Sequence, residues 1–188
     1  LKRGWVLCRG GLYIRPPFVI SIMMDKQQQE LSQRRKMRLQ YYDYSQPGCY
    51  FVTICVQNRR NLLGKVSDGM MLLNEAGRMV DEVLNELEAR YAGGNLAEYV
   101  VMPNHLHFIW INRQPRVDLS ALVQWLKITT TNRYIRAVKA NAWPRFEQKL
   151  WQRGFFDHVV RSEEGYRQIA EYILNNPYQW HLDSLFQP

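Results

Sequence analysis

A chain of 188 residues, 46% hydrophobic and 22% charged, has the length and composition of about one folded domain rather than a disordered segment. Its longest apolar run near the N-terminus, Phe18 to Met24, is far too short to cross a bilayer, and three cysteines without a CxxC spacing exclude a disulfide scaffold and favour a reducing, cytoplasmic location. The net charge of +8 is uneven: residues 68–98 hold seven acidic and two basic side chains, so the remainder carries +13, which favours a basic face and a polyanionic partner such as nucleic acid.

Residues 1–40 differ in composition from the rest of the chain. Arg9, Gly10 and Gly11 interrupt the apolar stretch that a signal peptide needs, so we expect an upstream extension with the natural start near Met23 or Met24. Residues 25–40 are polar and form either a solvated tail or a basic arm that contacts phosphates through Arg34, Arg35, Lys36 and Arg38. We therefore predict a poorly ordered extension or basic arm over residues 1–40 and one globular domain over residues 41–188.

The globular part alternates segments typical of strands with segments typical of helices. β-branched and aromatic residues predict strands over 49–57, 99–111 and 155–161, with Pro103 marking an edge or a bulge in the second. Apolar residues at helical spacing predict helices over 75–91, 119–140 and, after a cap at Ser162, up to Asn176. This order predicts an α+β fold in which helices pack on a face of the sheet.

Two of the four histidines, His105 and His107, lie two residues apart in the second predicted strand. Residues at this spacing point to the same face, roughly 6–7 Å apart, whereas Leu106, Phe108 and Trp110 point to the opposite, core-facing side. Both imidazoles can therefore reach one cation. The alternative is that they are two ordinary surface histidines, and the spacing does not decide between these interpretations.

The last predicted helix carries a polar stripe made of Gln168, Tyr172 and Asn176, which are spaced four residues apart. The tyrosine in such a stripe can act as a nucleophile, and the amides one turn before and after it can act as a metal ligand or a supporting group. Its phenol has an ordinary pKa near 10, so at neutral pH it needs a base or a polarised electrophile. A tyrosine packed against the sheet with its hydroxyl at the rim would show the same spacing.

Residues 119–146 contain no acidic side chain. Cations bind phosphates and aromatic faces stack on unpaired bases, so this segment is the best candidate for a surface that binds single-stranded or hairpin DNA. Alternatively, its aromatic residues belong to the core and its cations to a solvated face. The segment carries Lys127, Arg133, Arg136, Lys139 and Arg145, with Trp125, Tyr134 and Trp143 between them.

Three sequence runs, in this order, resemble the REP-associated tyrosine transposases, which belong to the single-tyrosine HUH transposases that act on single-stranded DNA. Residues 102–107 (MPNHLH) contain the HUH motif of His, bulky apolar residue and His. Residues 151–161 (WQRGFFDHVVR) resemble the middle stretch of this family, and residues 171–177 (EYILNNP) resemble its catalytic helix. The resemblance covers roughly residues 41–180.

The resemblance implies a ferredoxin-like antiparallel sheet with helices packed on it and the HUH motif on a central strand. It implies that His105, His107 and Asn176 bind Mg²⁺ or Mn²⁺ and that Tyr172 is the nucleophile that becomes a 5′-phosphotyrosine. The resemblance adds Arg153 to the predicted DNA contacts. His158 is expected to support the structure or to contact DNA, and Gln168 is expected to support the tyrosine. The proton acceptor of the tyrosine stays open.

The resemblance further implies a metal-dependent endonuclease and strand transferase that acts on single-stranded DNA beside hairpin sequences, without a membrane partner. The alternatives are a non-catalytic, domesticated nucleic-acid-binding protein and a metal hydrolase in which water attacks. A homodimer that exchanges the tyrosine helix and an active monomer are both compatible with the family.

Overall fold

The computed structural model describes residues 42–114 and 117–187, and its centre is a four-stranded antiparallel sheet. The sheet has the order β4-β5-β1-β6, and a separate two-stranded hairpin consists of β2 and β3. The strands are β1 (Gly48–Cys55), β2 (Gly64–Ser67), β3 (Met70–Leu73), β4 (Gly94–Val101), β5 (His105–Asn112) and β6 (Phe156–Val160).

Helices cover both faces of this sheet. They are α1 (Glu75–Asn85), α2 (Leu87–Arg90), α3 (Leu119–Lys139) and α4 (Glu163–Asn175), with short 3₁₀ turns at Gln57–Arg59 and Trp180–Leu182. Side chains cap three of these helices, because Asn74, Asp118 and Ser162 each accept a hydrogen bond from a backbone N–H of the first turn.

Alternation along the two central strands separates the core from the other face. Val52 and Ile54 of β1 and Leu106 and Phe108 of β5 are fully buried in one hydrophobic core with the apolar sides of α1 and α3. Helix α4 packs on β4 and β5 from the opposite face, where Ile173 is fully buried. The residues of β5 that point away from the core therefore face α4.

The α+β architecture expected from the sequence is confirmed. A strand, a helix, two strands, a helix and a strand follow one another around the sheet, with β2 and β3 inserted before α1, and this arrangement is ferredoxin-like. The HUH strand β5 is central, because it pairs with β4 on one side and β1 on the other. None of the helices in the described residues is long and apolar enough to span a membrane.

The prediction of one long strand over residues 99–111 was wrong, since these residues belong to two antiparallel strands, β4 and β5. The chain reverses at Pro103 and Asn104, and a hydrogen bond from Met102 N to His105 O (2.8 Å) closes the turn. Residues 99–102 before the turn and most residues after it are apolar, so the polarity pattern shows no break between the two strands.

Other boundaries also differ from the prediction. Strand β4 begins at Gly94, five residues before the predicted start, and β2 and β3 were not predicted. The predicted helix over residues 75–91 is interrupted at Glu86, which lies between α1 and α2. The predictions for residues 1–40 lie outside the described residues.

Candidate active site

A tight turn positions the first histidine of the HUH motif. The Asn104 amide donates hydrogen bonds to Arg59 O (3.1 Å) and Leu185 O (2.9 Å), so its Oδ1 is left to accept one from His105 Nδ1 at 2.8 Å. With the proton on Nδ1, the lone pair of His105 lies on Nε2. That nitrogen is buried and makes no hydrogen bond of ordinary geometry.

The second histidine is held by the neighbouring strand. Nδ1 of His107 lies 2.7 Å from Oγ1 of Thr53, and its ring stacks on Phe51 with the centroids 5.3 Å apart. The centroids of the His105 and His107 rings are 4.5 Å apart. The two imidazoles thus share one face and one pocket, as the spacing predicts, but they are buried and are not surface histidines.

Burial keeps both imidazoles neutral. Desolvation and the nearby Arg59 guanidinium lower the pKa of His105 to about 3, while a side-chain contact with Asn176 acts in the opposite direction and is the smallest of the three effects. Desolvation, followed by the proximity of His105, also lowers the pKa of His107 well below its usual value, against the charge of Asp183. A neutral imidazole is the form that binds a metal ion.

Helix α4 brings Tyr172 to the histidine pair. Its hydroxyl lies 3.3 Å from His107 Nε2 and 3.2 Å from Asp183 Oδ2, and its ring meets those of Phe51 and His107 edge-on. Burial and, after it, the negative charge of Asp183 raise the pKa of this phenol far above its usual value. Tyr172 is therefore protonated at neutral pH, and its hydroxyl is held beside two acceptors.

Asn176, one turn after Tyr172, is almost fully buried in the same pocket. Its Nδ2 donates a hydrogen bond to Asp183 Oδ2 at 2.9 Å, whereas its Oδ1 is buried without a hydrogen bond. A buried amide oxygen without a donor is costly unless another group, such as a cation, satisfies it.

The side chains of this pocket fit a divalent ion. Ligand atoms of His105, His107 and Asp183 all lie within 4.8 Å of one another, and ligands of one small ion are separated by roughly 3–4 Å. His105 Nε2 and Asn176 Oδ1 add two buried lone pairs without partners. Two imidazole nitrogens with oxygens suit Mn²⁺ better than Mg²⁺, which prefers oxygen alone.

Three residues that hold this pocket together were not predicted from the sequence. Thr53 and Asn104 orient the imidazoles, but a threonine in a strand and an asparagine after a proline are ordinary residues. Asp183 lies beyond Pro177, where no periodic pattern predicts a position. The one feature of the sequence that could have drawn attention to Asp183 is that it is an acidic residue in the last part of a basic chain.

The two supporting residues lie outside the pocket. Gln168 donates a hydrogen bond to Glu164 Oε1 at 2.9 Å, one turn earlier in α4. His158 is exposed on the edge strand β6, where it is the register partner of Phe51. Partial desolvation of this largely exposed ring, together with the charge of Arg161, lowers the pKa of His158.

Some of the predicted DNA-contacting cations have partners within the protein. The ammonium of Lys127 lies 2.8, 3.5 and 2.7 Å from the carbonyls of Gln152, Arg153 and Gly154, and Arg133 Nη2 lies 2.7 and 2.9 Å from the two carboxylate oxygens of Glu86. The exposed cations of the set are Arg136, Lys139, Arg145 and Arg153. The basic residues 34–38 lie outside the described part of the chain.

The aromatic residues of the acid-free segment belong to the core or pack against it. Tyr134 is fully buried, Trp143 packs on it and donates a hydrogen bond to Glu75 Oε2 (2.9 Å), and Trp125 stands edge-on to Tyr91. Of the two interpretations of this segment, the structure thus favours the one that assigns its aromatic residues to the core.

A buried HUH pair on a central strand of a ferredoxin-like sheet thus faces a tyrosine on a helix. Residues 48–176 match the family model described as "Transposase IS200 like", and the chain belongs to this family. Family membership supports an enzyme of the transposase kind.

Proteins similar to this chain include two relatives and one solved structure. The REP-associated tyrosine transposase of Escherichia coli is 25% identical over 134 residues, or 71% of this chain and 68% of that protein. A Haemophilus influenzae protein without a functional name is 33% identical over 178 residues, or 87% of this chain and 99% of its own length. A REP-associated tyrosine transposase bound to a REP hairpin shares the fold, with a TM-score of 0.59 and 23% identity over 78% of this chain and 75% of that one.

Proposed function

We propose that this protein is a metal-dependent endonuclease and strand transferase that cleaves single-stranded DNA beside hairpin, REP-like sequences through Tyr172. The observation that carries the proposal is the position of the Tyr172 hydroxyl, 3.3 Å from His107 Nε2 in a buried pocket of neutral imidazoles. Membership of the transposase family and the similarity to REP-associated transposases support the substrate class.

Tyr172 performs the covalent step in this proposal. Its phenolic oxygen attacks the DNA phosphorus, a tyrosyl O–P bond forms, and the P–O3′ bond breaks to release a 3′-hydroxyl while the 5′-phosphate stays on Tyr172. The hydroxyl lies 3.3 Å from His107 Nε2 and 3.2 Å from Asp183 Oδ2, and the proton that it loses is balanced by the proton that the released 3′-oxygen gains. Because the intermediate remains a phosphodiester, a second 3′-hydroxyl can reverse the step, which distinguishes strand transfer from hydrolysis.

His105, His107 and Asn176 are the proposed protein ligands of Mg²⁺ or Mn²⁺. Their lone pairs are buried and two of them, His105 Nε2 and Asn176 Oδ1, are unpartnered. The ion supplies Lewis-acid stabilisation of the charge that develops on the phosphoryl group. Phe51 and Thr53 keep the His107 ring in place, and Ser162 caps the helix that carries Tyr172 and Asn176.

The exposed cations Arg136, Lys139, Arg145 and Arg153 are the proposed contacts to hairpin DNA within the described residues, and Arg34, Arg35, Lys36 and Arg38 remain proposed contacts of the N-terminal arm. Cytoplasmic action and the choice between monomer and dimer stay predictions. The pocket itself takes His105, His107, Tyr172 and Asn176 from a single chain, which favours action without exchange of the tyrosine helix.

A covalent adduct tests the proposal. Purified protein is incubated with Mn²⁺ and labelled single-stranded DNA that contains a REP-type hairpin, and a denaturing gel is examined for a protein–DNA band. Wild type should form the band, Tyr172→Phe should lose it while retaining hairpin binding, and Tyr178→Phe, an exposed tyrosine six residues later, should keep it.

Two outcomes would contradict the proposal. Cleavage that persists in Tyr172→Phe would indicate attack by water and therefore a metal hydrolase. Hairpin binding with neither cleavage nor adduct, and with no response to a chelator, would indicate the non-catalytic binding protein.

A further inference from the structure

Hydrogen bonds attach the segment after α4, residues 180–187, to the loops around the histidine pair. Its backbone carbonyls at Ser184, Leu185 and Gln187 accept hydrogen bonds from Arg59 Nη1 (3.0 Å), Asn104 Nδ2 (2.9 Å) and Asn61 Nδ2 (3.3 Å). Asn104 Oδ1 also accepts the hydrogen bond from His105 Nδ1, so one side chain fixes both the imidazole and this segment. Trp180 and Leu185, which are buried, secure the segment from within.

This segment brings the carboxylate of Asp183 into the histidine pocket. One of its oxygens, Oδ1, accepts a hydrogen bond from Leu185 N at 2.7 Å, and Oδ2 accepts from Asn176 Nδ2 (2.9 Å) and lies 3.2 Å from the Tyr172 hydroxyl. The carboxylate is thereby held in one orientation, with an oxygen that forms a cluster with the His105 and His107 nitrogens within 4.8 Å.

In the described part of the chain, the carboxylate of Asp183 is not paired directly with a cationic side chain, and the nearby Arg59 guanidinium donates to Ser184 O instead. Within residues 42–114 and 117–187, Asp183 makes no ion pair. The groups that hydrogen-bond to it are a protonated phenol, an amide and a backbone N–H, and His105 Nε2 and Asn176 Oδ1 in the same pocket have no donor. A negative charge among buried lone pairs is stabilised by a cation, and a carboxylate is a preferred ligand of Mn²⁺ and Mg²⁺.

We propose that Asp183 is a fourth protein ligand of the divalent ion, so that the C-terminal segment, residues 180–187, is part of the metal site. This inference rests on the proposed function for the presence of the ion. Asp183 adds an anionic ligand to two neutral imidazoles and a neutral amide. Because Asp183 belongs to the C-terminal segment, ion binding is linked to the docking of that segment. Metal binding then stabilises the folded state with the segment in place.

Isothermal titration of metal-free protein with Mn²⁺ tests the inference without reference to activity. Asp183→Asn keeps the size of the side chain but removes its charge and should raise the Kd for Mn²⁺ by at least about tenfold, since even an outer-shell partner changes metal affinity ~10- to 100-fold. The matched control is Asp81→Asn, which removes the same charge from α1 on the other face of the sheet and should leave the Kd within about twofold. His105→Gln, which removes a ligand of the proposed function, should also weaken binding.

A second variant gives a spectroscopic readout. Asp183→Cys places a thiolate at the proposed ligand position, and thiolates select soft ions such as Cd²⁺. Addition of Cd²⁺ should produce a thiolate-to-cadmium charge-transfer band in the ultraviolet that is absent from the difference spectrum of wild type, which has Cys8, Cys49 and Cys55 but no thiol at position 183. This band decides the question even if Asp183→Asn does not fold.

The inference is overturned if Asp183→Asn binds Mn²⁺ like wild type while His105→Gln does not, or if Asp183→Cys shows no new band with Cd²⁺. Either result leaves the proposed function standing. A wild-type protein that binds no Mn²⁺ at all would remove both this inference and the metal requirement of the proposed function.

Discussion

At the scale of single residues, the pocket depends on groups that are neutral because they are buried. His105 and His107 are held by Asn104 and Thr53 through Nδ1, and their pKa values lie well below the ordinary imidazole value. The same burial keeps Tyr172 protonated. The pocket therefore presents neutral imidazole nitrogens that can bind a metal ion and that do not bind a proton at neutral pH.

This burial predicts a pH-dependent stability of the metal-free protein. An imidazole with a folded pKa near 3 binds its proton only after unfolding, so the unfolded state takes up protons as the pH falls below about 6.5. The free energy of unfolding should therefore decrease between pH 6.5 and pH 5, with a limiting slope of about 1.4 kcal/mol per pH unit for each imidazole. Chemical denaturation in the presence of a chelator measures it.

His105→Gln should reduce this slope by the contribution of one imidazole, whereas His181→Gln, at an exposed position, should leave the slope unchanged. A stability of wild type that stays level from pH 6.5 to pH 5 would show that the two imidazoles are not buried as described.

At the scale of secondary-structure elements, α3 fixes the stretch that leads into β6. The Lys127 ammonium reaches the carbonyls of Gln152, Arg153 and Gly154, and burial lowers its pKa to about 8. This side chain organises the Trp-Gln-Arg-Gly stretch and leaves Arg153 exposed. The contact explains why a lysine in the acid-free segment is not available to phosphates.

Lys127→Met should lower the free energy of unfolding by about 2–4 kcal/mol, because it leaves carbonyls without their charged donor. Lys139→Met, at an exposed position in the last turn of α3, should change it by less than about 0.5 kcal/mol. Urea denaturation of both variants makes the comparison. Equal and small effects would contradict the role of Lys127 in holding this stretch.

How far the sequence predicts these elements depends on the local pattern. Strand β1, β6, α3 and α4 are visible from β-branched runs and helical spacing, because each has one apolar and one mixed face. The reversal at Pro103 and Asn104 is not visible, because β4 and β5 are apolar on both sides of it. Likewise, the motif residues His105, His107, Tyr172 and Asn176 can be named from the sequence, but Asp183 reaches the pocket only through long-range contacts with Arg59 and Asn104.

At the scale of the whole molecule, part of the charge segregation seen in the sequence cancels in the fold. The acidic segment packs against basic α3, where Glu86 pairs with Arg133. The cations that remain exposed in the described chain, among those predicted to contact DNA, are Arg136, Lys139, Arg145 and Arg153. DNA binding should therefore depend on these and not on every cation of the basic segment.

The salt dependence of hairpin binding tests this distribution. Each phosphate contact that is lost should reduce the slope of log Kd against log salt by about 0.7–0.9. The double variant Arg136→Gln/Lys139→Gln should show a reduction for each contact removed, and Arg133→Gln, whose guanidinium is already paired with Glu86, should keep the wild-type slope. Fluorescence anisotropy over a salt series provides the data, and a reduced slope in Arg133→Gln alone would contradict the assignment.

The central claim is that Tyr172, held against the histidine pair of its own chain, becomes covalently linked to DNA. Its most direct test is proteolytic digestion of the adduct formed with Mn²⁺ and hairpin DNA, followed by mass spectrometry of the nucleotide-modified peptide. The account predicts a single modified peptide with the 5′-phosphate on Tyr172. A nucleotide on any other residue, or an unmodified Tyr172 in protein that has cleaved its DNA, would contradict it.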